Sequence, residues 1–201
     1  KENAGPVAGG LVGPGRPEVP ITYVLVSGEG DRSLSKLETL FPQGETLDPH
    51  PSASFVVYHL PAGTQSMAQP SYPLPATWAE RIKLIGYGVD QDRVTPGGTL
   101  SVSLFYEAVG EIDQRYTAFV HVLGPVNPDT GNPLFAQSDS EPCRGFYPTT
   151  SWHKGEILVD RIDIHLPPDT PAGPYTLGTG FYEVWSGERL PVTSDAAATD
   201  N

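Results

Sequence analysis

The chain has 201 residues, enough for one domain of medium size or a domain with a small companion. Its 22 glycines and 22 prolines favour short strands joined by turns over long helices, and a hydrophobic content of 38% gathered in strand-length runs argues against disorder throughout. A net charge of −12 repels phosphate backbones and anionic lipid, which removes nucleic acid as a partner, and the single cysteine, Cys143, excludes an internal disulfide and makes a zinc site implausible.

Residues 1–20 form an arm in which Gly5, Pro6, Gly9, Gly10, Gly13, Pro14, Gly15, Pro17 and Pro20 prevent independent helix or sheet, so it is ordered only if something holds it. Residues 21–60 read as a small α/β unit: a β-rich run at 21–26, a helix at 33–41 with Leu34, Leu37 and Phe41 on one face, and a strand at 55–60. Ser35 and Glu38 have capping-box spacing, with Asp31 or Ser33 as alternative starts, and Pro42 and Gly44 end the helix. Residues 61–78 are a Pro-, Ser- and Gln-rich linker, 79–193 the main body, and 194–201 a tail.

The main body contains strand runs at 82–89, 99–107, 116–123, 134–138, 156–166, 175–184 and 188–192, separated by turn signals. About seven such runs predict a mostly β chain, with an immunoglobulin-like antiparallel β-sandwich following the small α/β unit. Leu100, Val102, Leu104 and Tyr106 alternate with polar residues, as a strand with one buried face requires, with Phe105 the exception. Both rows of 116–123 are apolar, the pattern of a central strand or one covered by another domain. Turns are legible at 95–98, 127–132 and 167–173.

No P-loop, dinucleotide fingerprint, nucleophile elbow or zincin helix is present, and the Gly-rich start lacks the Lys and following helix that phosphate binding needs. The 127–132 loop lacks the spaced carboxylates of a calcium loop and reads as a hairpin turn. No metal or cofactor is therefore expected, and no residue is assigned a catalytic role. Arg161, Asp163 and His165 share one face of a strand and read as a solvated face with a charge pair, whereas Asp160 shares the core face with Leu158, Ile162 and Ile164 and, if buried, has to be paired or hydrogen-bonded, either to neighbours of Arg161 across the sheet or to loop amides.

Phe105, Phe119, His121, Tyr182 and Trp185 fall opposite the presumed core, while Phe146, Tyr147 and Trp152 crowd one loop. Flat rings stack on sugars and also serve protein contacts. Phe119, His121, Trp152, Asp160 and Tyr182 are the candidate carbohydrate or partner surface, and Gly178 and Gly180, beside Tyr182, predict a shallow trough that is filled by packing in the first reading and by a ligand in the second.

Ile85-Gly86-Tyr87, Val94-Thr95-Pro96-Gly97-Gly98-Thr99-Leu100, the 116–123 run, Ala136-Gln137-Ser138-Asp139, Tyr147-Pro148-Thr149-Thr150-Ser151-Trp152, the 155–161 run, Leu166-Pro167-Pro168, Gly173-Pro174-Tyr175 and the 187–192 run form an ordered set. Over roughly residues 21–193 the chain resembles the extracytoplasmic C-terminal β-sandwich of multi-spanning bacterial glycosyltransferases of the family 39, mannosyltransferase-like type. The resemblance implies a fragment tethered outside the cytoplasm through its parent chain, whose catalytic carboxylate and lipid-linked donor site lie in a membrane portion absent here. With no apolar run of about 18 residues, and opening at Lys1 without a signal-peptide core, the chain is expected to be a piece of a longer protein that does not itself insert into a membrane.

The function expected is thus a non-catalytic accessory domain of a membrane glycosyltransferase, holding carbohydrate or packing on the membrane portion of the parent. The alternatives are a purely structural interaction module whose aromatic face is covered by residues 21–60, and a glycoside or ester hydrolase, which requires two facing carboxylates or a Ser–His pair in a cleft.

Overall fold

The computed structural model of the chain describes residues 10–12, 20–26, 33–47, 55–64, 69–127 and 130–193. In chain order they form β1 (Gly10–Val12), β2 (Ile21–Val26), α1 (Ser33–Leu40), β3 (Glu45–Leu47), β4 (Phe55–Leu60), β5 (Tyr72–Trp78), β6 (Ile82–Val89), β7 (Thr99–Ala108), β8 (Thr117–Asn127), β9 (Asn132–Ser140), β10 (Ile157–His165), β11 (Thr176–Tyr182) and β12 (Val192–Thr193). The protein is mostly β, in three antiparallel sheets ordered β1-β10-β7-β6-β5-β12, β11-β8-β9 and β2-β4-β3.

The first two sheets share one core. Leu84, Val102, Leu104, Tyr106, Leu158, Ile162 and Ile164 from the six-stranded sheet meet Ala118, Val120, Val122 and Phe181 from the three-stranded one. The sheets are locked by rings: Phe181 of β11 sits edge-on to Trp78 and to Tyr106, each at 5.2 Å, a geometry that aligns the positive ring edge with the negative face. With β6, β7 and β10 in one sheet and β8, β9 and β11 in the other, the arrangement is consistent with an immunoglobulin-like sandwich.

Three segments differ from the sequence expectation, the first being β3, an additional strand that pairs with β4 in the small unit. The stretch read as linker contains β5, because Pro73 falls where the β5–β6 register is interrupted, between Pro73 and Ala76, so its missing N–H costs the ladder little. The run at 188–192 does not form one strand: Arg189 bridges Tyr182 and Leu190 N–H donates to the Phe181 carbonyl at 2.9 Å, after which Val192–Thr193 pairs with β5 in the opposite sheet. The arm is held where it is described, β1 pairing with Leu158–Asp160 of β10.

The small unit has its own core of Tyr23, Leu25, Leu37, Phe41, Tyr58 and Leu60. An eight-residue helix is too short to persist alone. Its leucines therefore fold onto β2 and β4, and the Tyr58 hydroxyl donates to the Phe41 carbonyl at 2.7 Å, satisfying an acceptor just past the helix end. Val159 of β10 packs against this core, so the unit is seated on the six-stranded sheet. Gly44 closes the turn after the helix, and a Cβ there would lie 2.6 Å from both Leu60 Cδ2 and Tyr58 Cε1, two fully packed side chains. Gly44→Ala is expected to lower stability by about 1–3 kcal/mol in urea unfolding; an unchanged midpoint would contradict this packing.

Candidate functional site

Phe119 and His121 on β8 and Tyr182 on β11 come together on the outer face of the three-stranded sheet. Ring centroids are 4.5 Å apart for Phe119 and His121 and 6.3 Å apart for Phe119 and Tyr182, and the Arg189 guanidinium sits 5.0 Å from the Phe119 ring centre. This is a cation–π contact with the arginine covering the ring. The trough expected at Gly178 and Gly180 is filled: Phe119 lies across from Gly180, where a Cβ would meet its Cζ at 2.7 Å. Glycine lets the ring lie flat on the backbone, as when an aromatic side chain covers a strand glycine.

Asp139 of β9 completes the face, with Oδ1 3.6 Å from His121 Nε2. Partial burial lowers the His121 pKa and outweighs the opposing pull of Asp139, with Arg189 acting in the same direction as burial. Burial and the adjacent Asp139 carboxylate raise the Tyr182 phenol. Both groups are therefore neutral donors and acceptors at neutral pH. Just beyond Tyr182, the Glu183 carboxylate accepts the Trp185 and Ser186 N–H groups at 3.0 and 2.7 Å, fixing a turn that holds Trp185 92% exposed. Val184 beside it is exposed too.

The other two candidates lie elsewhere. Trp152 is a core residue, packed 5.9 Å from Tyr106 with its Nε1–H donating to the Tyr147 carbonyl at 3.2 Å, so its ring offers no surface. Asp160 is 2% exposed, and its Oδ1 accepts the Cys143 N–H at 3.1 Å, a loop amide, the second of the two partners the sequence left open. Its Oδ2 and the Tyr106 hydroxyl are buried with no partner within hydrogen-bond distance; Thr179, beside Tyr106, donates its hydroxyl hydrogen to the Phe119 carbonyl at 2.8 Å. Burial pushes Asp160 up to about 6 against the lowering effect of the Cys143 N–H. The Cys143 thiol is raised by its own burial and is unreactive.

Sequence reading missed Glu156. It has the same parity as Leu158 and Asp160, so alternation places it on the core face, and it is 5% exposed. Its oxygens lie 2.8 and 3.0 Å from the Tyr147 hydroxyl, and Oε2 also accepts the His153 N–H at 2.8 Å. The same phenol reaches the Ser151 carbonyl at 3.0 Å. One phenolic hydrogen cannot serve all these acceptors, so a proton on Glu156 completes the network. Burial accordingly pushes Glu156 up to about 7, opposed by the His153 and Tyr147 hydrogen bonds. Tyr23 of the small unit feels the same carboxylate, its phenol raised by burial first and Glu156 second.

Both acids have folded pKa values above their ordinary ones, 4.5 for Glu156 and 3.8 for Asp160, so between about pH 4 and 7 the folded chain binds more protons than the unfolded one. Stability is present below that window and falls as pH rises through it. Urea unfolding is expected to give a lower free energy at pH 8 than at pH 5, by an amount on the order of 3 kcal/mol for Glu156. Glu156→Gln should remove most of that difference, and a wild-type midpoint that rises with pH would contradict the assignment.

Among the described residues no three His, Cys, Asp or Glu side chains are placed to hold a metal ion, and no helix is long and apolar enough to cross a membrane. No protein-family model, curated protein or solved structure matches the chain.

Proposed function

We infer that the chain is a non-catalytic accessory domain of the kind its sequence resembles, the extracytoplasmic part of a multi-spanning glycosyltransferase, and that it docks on the membrane portion of its parent through the outer face of β11-β8-β9. The observation that carries this reading is the asymmetry of the two outer faces. The small unit is seated on the six-stranded sheet at Val159, whereas the three-stranded sheet presents Phe119, His121 and Tyr182 with Asp139 and Arg189 at their flanks. Phe119 anchors that face without offering a free ring to a sugar, because Arg189 lies over it. Exposed Val184 and Trp185 extend it at one end with apolar area of the size that anchors protein contacts.

A purely structural module covered by residues 21–60 fits less well, since the small unit's contact is with Val159 on the other sheet. The absence of a catalytic role is supported by the raised carboxylates: Glu156 and Asp160, the acids whose pKa values suit proton transfer, are sealed in the interior.

Because Cys143 is buried, a new surface cysteine reports its own exposure. Tyr182→Cys is expected to react rapidly with a maleimide in the isolated chain and to be protected about tenfold or more in the full-length protein in native membranes, the magnitude expected of a closed protein contact. Equal labelling in both settings would overturn the docking assignment.

A further inference from the structure

The small unit is held to the sandwich by a narrow seat. Among the described residues, Val159 of β10 is the one hydrophobic side chain of the sandwich packed against the core of Tyr23, Leu25, Leu37, Phe41, Tyr58 and Leu60. Tyr23 of that core is also within electrostatic reach of two sandwich groups, Glu156 and Tyr147, and all three side chains are buried. We propose that this cluster is a pH-operated latch: protonated Glu156 keeps the small unit seated on β10, and ionised Glu156 releases it.

The hydrogen bonds around Glu156 are one proton short when it is charged. The Tyr147 hydroxyl lies within reach of three acceptors, the two Glu156 oxygens at 2.8 and 3.0 Å and the Ser151 carbonyl at 3.0 Å, and has one hydrogen to give. With Glu156 protonated, its carboxyl donates to the Tyr147 oxygen, Tyr147 donates to the Ser151 carbonyl, and Oε2 accepts the His153 N–H at 2.8 Å. On ionisation Tyr147 has to turn to the carboxylate, the Ser151 carbonyl loses this donor, and a full negative charge is left in the interior.

No cation offsets that charge. Among the described residues no lysine or arginine is ion-paired with Glu156. The groups facing it are themselves proton-bearing: burial raises the Cys143 thiol, with Asp160 and Glu156 adding to the effect, and burial raises the Tyr23 phenol, with Glu156 adding. Strand β7, bonded to it from the Ala108 N–H to the Glu156 carbonyl at 3.0 Å, brings Glu107, whose own carboxylate is paired with Lys83.

Water therefore has to reach the carboxylate, and the weakest contact decides the route. Lifting Tyr23 and its sheet breaks one narrow seat, whereas an approach from the other side would open the core that holds Tyr106, Trp152, Leu158 and Phe181. Burial holds Glu156 up at about 7 in the seated form, and hydration returns it to its ordinary 4.5, so the seated form binds the extra proton. Seating is favoured below that window and weakens as pH rises through it, the ratio of seated to released form falling about thirtyfold between pH 5.5 and 8.5.

The test is methyl relaxation dispersion on the chain labelled at Val and Leu, run across that pH range with the Glu156 carboxyl carbon followed in the same samples. Exchange at Val159, Leu25, Leu37 and Leu60 should report a released population that rises about thirtyfold in step with the Glu156 titration, while Leu104 and Val120 of the sandwich core stay quiet. Glu156→Gln, which stays neutral and keeps an acceptor for the His153 N–H, should hold that population at its low-pH level throughout. Should the variant fail to fold, the coincidence of the two wild-type titrations still decides. A wild-type population that is flat with pH or out of step with Glu156, one that rises equally in Glu156→Gln, or exchange of equal size at Leu104 and Val120 would each overturn the latch.

Discussion

Strand β10 sends Leu158, Ile162 and Ile164 into the space between the two large sheets while Val159, on its other face, packs against the core of the small unit. A strand with one row buried and the other half-buried to exposed has little tolerance for a register slip, since a shift of one residue would put Arg161 and Asp163 into the core and the leucine and isoleucines outside. The nine-residue pairing with β7, from Ile157↔Glu107 to His165↔Thr99, fixes that register, and β1 secures the other edge. The sandwich, the seat of the small unit and the geometry around Asp160 all follow from it.

The asymmetry that bears on function has the same origin. Placing the small unit on β10 commits the outer face of the six-stranded sheet at Val159 to an internal contact, and the three-stranded sheet faces outward with its glycine-backed phenylalanine, neutral histidine and tyrosine. The buried acids run against ordinary core design: Glu156 and Asp160 occupy core-facing positions of one strand and its approach, where apolar side chains would stabilise the fold. Glu156 is accounted for by the Tyr147 and His153 bonds at the small unit's border. For Asp160, half of the hydrogen bonding is supplied by the 142–145 turn and half is open.

Much of the main body was legible because alternation is a local signal. It located β6, β7, β8 and β10, put His121 and Tyr182 outside and Asp160 inside, and required a partner for that carboxylate, which the Cys143 N–H supplies. β5 was hidden because its prolines suppress the strand pattern and only the interrupted register with β6 makes them harmless. The crossing of the last run from β11 to β5 depends on a partner more than a hundred residues earlier in the chain, which no window of sequence contains. Trp152 was misplaced because a loop has no period to show which way a ring points, whereas the space at Gly180 is taken by packing, the first of its two readings, through the Phe119 ring of a neighbouring strand. Glu156 was the avoidable omission, since the parity that flagged Asp160 applies four residues earlier.

The central claim, that the small unit is seated on β10 and leaves the opposite sheet facing outward, is tested most directly by NMR on the methyl-labelled chain. The account predicts cross-peaks between the Val159 methyl groups and the side chains of the small unit's core, with β2–β4 and β7–β10 sharing one rotational correlation time. Missing cross-peaks together with faster, independent tumbling of β2–β4 would contradict it.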